Sequence, residues 1–448
     1  MKPMMILAMV YLLLSSCQHK PAIQIATFQV DATPAIGTPV AYAPVRSITD
    51  SLTARGFVIL SDQTPIVFCA VDWIGISNKG LDAWKEQLAE AAGTTVDRVS
   101  IHSLHQHDGA RCDFSTEAIL EEYGLGGLRF DNAFASKTIA ATAAALKKAM
   151  QHPIAVTDIG FGKAKVEKVA SNRRILGDDG KVSIVRFSKS SDPAAQAAPE
   201  GVIDPWLKSV SFWNGDSALA VLSFYASHPQ SYYGKGDVNP EYVGLARNNR
   251  QKALNGVPQI YFTGAAGNVA AGKYNDGSEA MRPVLTQRIE TAMEEAWNNT
   301  EKMPISAASL SWKTAEVSLP LADHLKEDEL IKTLANPDDS LARFSAASHL
   351  AWLREIQNGR KVYVSALKIG KVSILSLPGE PFVEYQLAAQ QMVPDQHLCT
   401  AAYEEYGTGY IGTAESYAQG GYETSKSATK TTAEAEKILL GAIESVVR

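Results

Sequence analysis

His105 and His107 sit one residue apart in Ser103-Leu-His-Gln-His-Asp-Gly109, directly after the strand-like stretch 96–101. Paired imidazoles on a loop that leaves a strand are one way to hold a metal rigidly at the edge of a sheet. Three later segments repeat the pattern. Apolar 218–225 runs into Ser227-His228-Pro229, 260–262 into Gly264-Ala-Ala-Gly-Asn268, and 372–377 into Pro378-Gly-Glu380. Strands handing polar loops to one common edge define a site.

The elements that must position these loops are written in the hydrophobic pattern. Residues 66–73 form a near-continuous apolar run, read as a buried strand. Leu81, Trp84, Leu88 and Ala91 fall on one helical face, which Gly93 closes. Stretches 131–150, 281–297 and 432–447 read as helices, and 326–357 as a charged helical hairpin turning at Pro337-Asp-Asp339. Two β-hairpins are expected, 210–213 with 219–224 about Asn214-Gly215, and 362–369 with 372–377 about Gly370-Lys371. Residues 190–201, rich in Ser, Ala and Pro, read as a surface loop. Hairpins interleaved with strand–helix units, without repeats or a composition break, imply one large α/β domain spanning 24–448. Its central sheets should be mixed or antiparallel and flanked by helices.

The 448 residues are 46% hydrophobic and 20% charged, an ordinary globular composition able to bury a sizeable core. A formal net charge of −6 supplies no basic footprint, which excludes nucleic acid as the expected partner. Lys2 precedes the apolar stretch 4–14, which is too short to span a bilayer comfortably. Leu14-Ser-Ser-Cys17 resembles the bacterial lipoprotein cleavage box. That resemblance implies a signal peptide at 1–16, lipidation of Cys17 and a polar tether at 17–23. The protein would then be exported and lipid-anchored in a bacterial cell envelope. The alternative is an ordinary secretory peptide with an incidental cysteine. Cys69 reads as a core thiol, whereas Cys112 and Cys399 could pair in an oxidising compartment.

Ordered motifs along the chain resemble the neutral/alkaline ceramidase family. His105-Gln-His107-Asp-Gly109 is similar to its His-Thr-His-Ser-Gly segment, Ser171-Asn-Arg173 to its Asn-Arg segment, and Ala226-Ser-His228-Pro229 to its second histidine motif. Gly267-Asn268, Leu377-Pro-Gly-Glu380, and Gly409-Tyr410 through Gly421-Tyr422-Glu423 continue the series in the family's order. The resemblance, roughly from Phe28 to Glu423, implies a zinc-dependent amide hydrolase with a small-molecule or lipid amide substrate. His105, His228, Glu380 and Tyr410 would hold zinc, and His107 would handle protons. Tyr422 would stabilise an oxyanion, and Arg173, with the loop 264–273, would orient substrate.

Each assignment has a plainer rival. Glu384, four positions on, competes with Glu380. Arg174 adjoins Arg173, and either could serve a surface ion pair. His107 could face solvent, and tyrosines flanked by glycine often anchor loops. Asp108 and Asp237 read as turn residues that could also bond a polar substrate.

Two features depart from the family. Ala270 stands where it carries a serine, so an acyl-enzyme at this position is excluded, although metal-activated water needs no such group. The chain also ends soon after the tyrosine motif, implying no C-terminal immunoglobulin-like domain. Both tilt the substrate towards a polar amide or ester of glycan or cell-wall type. A non-catalytic zinc-binding lipoprotein is the reading from another class.

Overall fold

The computed structural model describes residues 23–336 and 338–448. The expected signal peptide, the lipidated Cys17 and the tether as far as residue 22 lie outside the described residues, as does the turn residue Pro337. Ile23, counted with the tether, belongs instead to the folded core: it is buried, and its carbonyl accepts from the Val156 amide at 2.8 Å.

Three larger sheets make up the framework. The first orders Val99–Ser103, Ile66–Val71, Thr53–Leu60, Gln24–Asp31 and Ile154–Ala155. The second orders Gln259–Thr263, Ser217–Tyr225, Trp206–Asn214, Asp158–Lys165 and Glu301–Pro304. The third orders Leu310–Val317, Val362–Ile369, Val372–Ser376 and His397–Ala401. The sheets are antiparallel except at one edge, where each ends in a parallel pair.

Parallel neighbours require a crossover, and here each crossover contains a helix. Asn78–Ala92 joins the parallel pair of the first sheet, Glu241–Ala253 that of the second, and Val383–Met392 that of the third. Three strand–helix–strand units therefore present the carboxyl ends of their strands, where loops of open α/β sheets carry ligands. One buried cluster joins the sheets: Phe57 and Phe68 from the first, Phe212, Phe224 and Phe262 from the second, and Leu367, Ile374 and Cys399 from the third. Alternation along the strands turns the neighbouring residues outward to the helices, so Cys69 packs with Leu81, Trp84 and Leu88.

Both expected hairpins form, with Asn214 opposite Ser217 and Ile369 opposite Val372. Their turns place Gly215 and Gly370 at φ 57° and 59°, a left-handed conformation that glycine adopts without steric cost. The helical hairpin forms as Glu327–Ala335 and Ser340–Gln357.

Three details differ from the pattern reading. Val96–Arg98 is a 3-10 turn, and the strand begins only at Val99. The segment 190–201 contains a short helix, Pro193–Ala197, because Asp192 caps the Ala194 amide and Pro193 suits the first helical turn. Cys112 and Cys399 do not pair; with Cys69 they are buried free thiols.

Candidate metal centre

His105 leaves the end of Val99–Ser103 at φ 66°, an uncommon backbone conformation for a residue with a Cβ. Its neighbours hold it there. Its amide donates to the Trp73 carbonyl at 2.9 Å, and its Nδ1 meets the Ile74 carbonyl at 2.7 Å. The buried Gln106 side chain donates to the Asp72 carbonyl and accepts from the Asp108 amide, both at 2.8 Å. The histidine loop is thus tied to the end of the adjacent parallel strand.

His228 is oriented the same way. Its Nδ1 faces the Ala266 carbonyl at 2.7 Å and that of Val269 at 3.1 Å, in the loop after Gln259–Thr263. Glu380 is placed by a short parallel ladder, Glu380–Pro381 against Tyr410–Ile411. Gly379 enters that ladder at φ 62°, and a Cβ there would lie 1.9 Å from Thr408 Oγ1. A Cβ on Gly267 would lie 2.3 Å from the Glu380 carbonyl, so the loops meet backbone to backbone.

These three loops bring His105, His228 and Glu380 together in the interior. Glu380 Oε2 is 3.0 Å from His228 Nε2 and 3.3 Å from His105 Nε2, and the three ligand atoms lie within 4.8 Å of one another. Both Nδ1 atoms face carbonyls, so each carries the ring proton and each Nε2 presents a lone pair. Two imidazole lone pairs and a carboxylate oxygen converging in a buried space repel one another unless a cation or shared proton lies among them. Burial opposes ionisation of Glu380, and its carboxyl is held well below the usual carboxylate range by positive charge and N–H donation from the His105 and His228 rings, a role that a bound cation takes over when both rings are neutral. Burial, reinforced by His105 and Arg173, also lowers His228, favouring the neutral ring that a metal needs. The donor set therefore fits a borderline divalent cation such as zinc.

Tyr410 stands opposite Glu380 in the ladder, its ring stacked 6.2 Å from that of His228. Arg173 Nη1 donates to its hydroxyl at 3.1 Å. Burial raises the Tyr410 phenol well above its ordinary value against the pull of Arg173, so ionising it requires a further cation. Arg173 is buried, not at the surface, and shares Glu423 with Arg174: the ion-pair distances are 3.2 and 3.1 Å. The Arg173 contact is a charge pair whose angles fall outside hydrogen-bond geometry. Tyr422, its ring 5.7 Å from that of Tyr410, is 39% exposed and occupies the mouth rather than the floor.

His107 is buried beside the triad, with its Nε2 3.3 Å from His105 Nε2. Tyr42 OH lies 3.0 Å from His107 Nδ1, and the Gln230 carboxamide touches Nε2. The contact at Nε2 comes from the Gln230 amide nitrogen, which donates, so the ring proton sits on Nδ1 against the Tyr42 hydroxyl and the Nε2 lone pair is the basic site. Burial and the nearby His105 and His228 rings hold this imidazole well below its ordinary pKa.

The rivals fall elsewhere. Glu384 bonds Asn268 Nδ2 at 2.8 Å and stays outside the triad. Asp108 accepts from the Gly234 and Gly236 amides, and Asp237 pairs with Arg46, so both organise turns. Ala270 is fully buried opposite Ser171 in a two-residue ladder. Lys273 turns away and donates to the Gln196 and Ala198 carbonyls. A cavity of about 890 Å³ is lined by Arg174, Asn268 and Glu384 but by none of the triad.

Several residues went unread in the sequence. Tyr403, at φ 64°, stacks 4.6 Å from the His105 ring, and Tyr406 lies 5.2 Å from it. The available signal was a fifth strand-to-loop passage, His397–Ala401 into Ala402-Tyr-Glu-Glu-Tyr-Gly407. His102, a strand histidine between Ser100 and the Ala402 carbonyl, bonds within the seam of two sheets and takes no part.

No protein-family model matches the chain, and no curated protein sequence does. Solved structures share its fold. The neutral ceramidase from Pseudomonas aeruginosa superposes with a TM-score of 0.69 at 15% identity, over 95% of this chain and 74% of that one. A ceramidase complexed with C2 gives 0.69 at 16% identity, over 95% and 75%. The architecture is therefore the mixed α/β fold of these ceramidases.

Proposed function

We propose that this protein is a zinc-dependent hydrolase of amide bonds. One observation carries the reading: on the fold shared with ceramidases, two Nε2 lone pairs and the Glu380 carboxylate converge at 3.0 and 3.3 Å in a buried centre. His105, His228 and Glu380 would hold the ion, with Tyr410 as a further oxygen ligand. A bound zinc ion supplies a Lewis acid and makes water acidic near neutral pH.

The protein groups do the rest. His107, neutral and with its Nε2 towards the centre, exchanges a proton with water or the leaving amine. Tyr422, half-exposed at the mouth, donates to the developing oxyanion. Arg173, fixed by Glu423, holds the Tyr410 hydroxyl in place. The fold neighbours are ceramidases, which makes a lipid amide one candidate substrate; the alanine at position 270 favours a polar amide or ester. The anchor at Cys17 and an envelope location belong to the same proposal.

Purified protein should be assayed against a fluorescent ceramide and a panel of acylated amino sugars, before and after chelation and zinc return. Hydrolysis that vanishes with chelator and returns with zinc supports the reading; no zinc-dependent turnover of any amide sinks it. The second reading, a zinc-holding lipoprotein without catalysis, is favoured by the missing hydroxyl at Ala270 and predicts metal binding in that failed assay.

A further inference from the structure

The two imidazoles of the metal centre are held unequally by polar contacts. His228 Nδ1 has two carbonyls, those of Ala266 and Val269, whereas His105 Nδ1 has one, that of Ile74. A single hydrogen bond tolerates a range of ring tilt, because it weakens steeply only below an N–H···O angle of about 120°. Tilt of the ring swings the Nε2 lone pair away from Glu380.

Tyr403 supplies the missing restraint. Its ring lies against that of His105 with centroids 4.6 Å apart and planes 14° from parallel, and it meets His228 edge-on at 5.9 Å. Stacked aromatic faces at such a separation attract, and tilting either ring drives its edge into the other. Tyr406, 5.2 Å from His105 but tilted by 43°, presents no parallel face.

The backbone holds Tyr403 in place from several directions. His105 and Tyr403 are two of the six non-glycine residues at positive φ among the described residues, at 66° and 64°. For a bulky aromatic that conformation is strained and persists only where its surroundings over-determine it. The Tyr403 amide donates to the Gly379 carbonyl at 3.0 Å, and its carbonyl accepts from the Ser103 amide at 3.2 Å. One residue thereby ties the loop that carries Glu380 to the loop that carries His105. On one side, the Ala402 amide donates to the Thr263 carbonyl, and its carbonyl accepts from His102 Nδ1, both at 2.8 Å. On the other, Glu404 pairs with Lys85 at 2.9 Å. The Tyr403 side chain is fully buried, yet its hydroxyl has no hydrogen-bond partner. A buried hydroxyl without a partner is unfavourable, so the position draws on the ring and not on the phenol oxygen.

We propose that Tyr403 is a positioning residue of the metal centre, its ring face setting the plane of the His105 imidazole and so aiming Nε2 at the ion. The word ion rests on the zinc-dependent reading; the ring contact does not.

The test compares the wild type with Tyr403→Phe, which keeps the ring, and Tyr403→Leu, which removes it. Tyr403→Met, with an unbranched side chain that fills irregular space, takes the place of Tyr403→Leu should that variant show no melting transition. In metal-free protein, the His105 ring protons are identified by their absence from the proton spectrum of His105→Gln. The facing ring should shift them upfield in the wild type and in Tyr403→Phe, and the shift should vanish in Tyr403→Leu. Zinc affinity, read by competition with a chelator, should stay within about twofold in Tyr403→Phe and fall by about 10- to 100-fold in Tyr403→Leu. With cobalt(II) loaded to saturation instead, the visible bands should coincide in the wild type and Tyr403→Phe and change in Tyr403→Leu. A loss of stability alone would move the melting transition and leave those bands unchanged. Unshifted His105 protons in the wild type, or a shift, affinity and spectrum that all survive in Tyr403→Leu, overturn the proposal. Equal losses in Tyr403→Phe and Tyr403→Leu would make the hydroxyl the acting group and overturn it as stated. A wild type that binds neither metal, with the ring shift lost only in Tyr403→Leu, removes the metal reading and retains Tyr403 as the residue that places His105.

Discussion

His228 Nε2 and Glu380 Oε2 lie 3.0 Å apart although 152 positions separate them in the chain. Neither strand nor helix spans that interval. Two sheets do, by placing the carboxyl ends of Ser217–Tyr225 and Val372–Ser376 at a common edge. The contact exists because backbone carbonyls fix both imidazole tautomers and a glycine-entered ladder fixes the carboxylate. The consequences are open to measurement.

His107 touches the centre without joining the triad. His107→Ala should keep the metal at wild-type stoichiometry and lower kcat by about 10²- to 10⁴-fold. Metal analysis beside steady-state kinetics checks this; loss of the metal would make His107 a ligand instead.

Gly379 permits the approach of Glu380 to the Tyr410 loop. Gly379→Ala puts a Cβ 1.9 Å from buried Thr408 Oγ1 and 2.7 Å from the Gly409 carbonyl, at φ 62°. The strain should cost on the order of 1–3 kcal/mol and weaken metal retention with it. Urea denaturation and metal content should fall together, while an unchanged midpoint would refute the close approach.

Legibility in the sequence divides along the same line as distance. The hairpin at Asn214-Gly215 and the helix closed by Gly93 were readable because turn chemistry and periodicity are local. His105, His228 and Glu380 were readable because each follows its own strand directly. Tyr42 and Gln230 were not, since they reach His107 from 65 and 123 positions away with no motif of their own. The Cys112–Cys399 option failed for a related reason. Two cysteines in an oxidising compartment could pair, but one lies on a short strand beside Gly75–Ile76 and the other on a strand of the third sheet.

Asp72 anchors the histidine loop through its carbonyl, while its side chain, with Arg247, forms a buried pair at 2.6 Å. Burial opposes the Asp72 charge, and Arg247 overcomes it, so the carboxyl titrates below its ordinary 3.8. A folded pKa below the unfolded one means the stabilisation is complete above about pH 4 and lost as pH falls further. Urea midpoints should drop steeply below that pH. Arg247→Met should cost about 3–5 kcal/mol at neutral pH by leaving the carboxylate unpaired. A loss under 1 kcal/mol would show that the pair is dispensable.

Cys17 precedes the described fold. If it carries the anchor, Cys17→Ser should move the protein from the membrane fraction to the soluble one. Continued sedimentation with membranes would remove lipidation from the account.

The central claim is that the triad holds one divalent ion. Elemental analysis of purified protein, as isolated and after zinc loading, tests it directly against His105→Ala, His228→Ala and Glu380→Gln. The account predicts about one zinc per wild-type chain and at least about a tenfold loss of affinity in each variant. Wild-type protein that retains no metal after loading, or variants that bind as the wild type does, would contradict it.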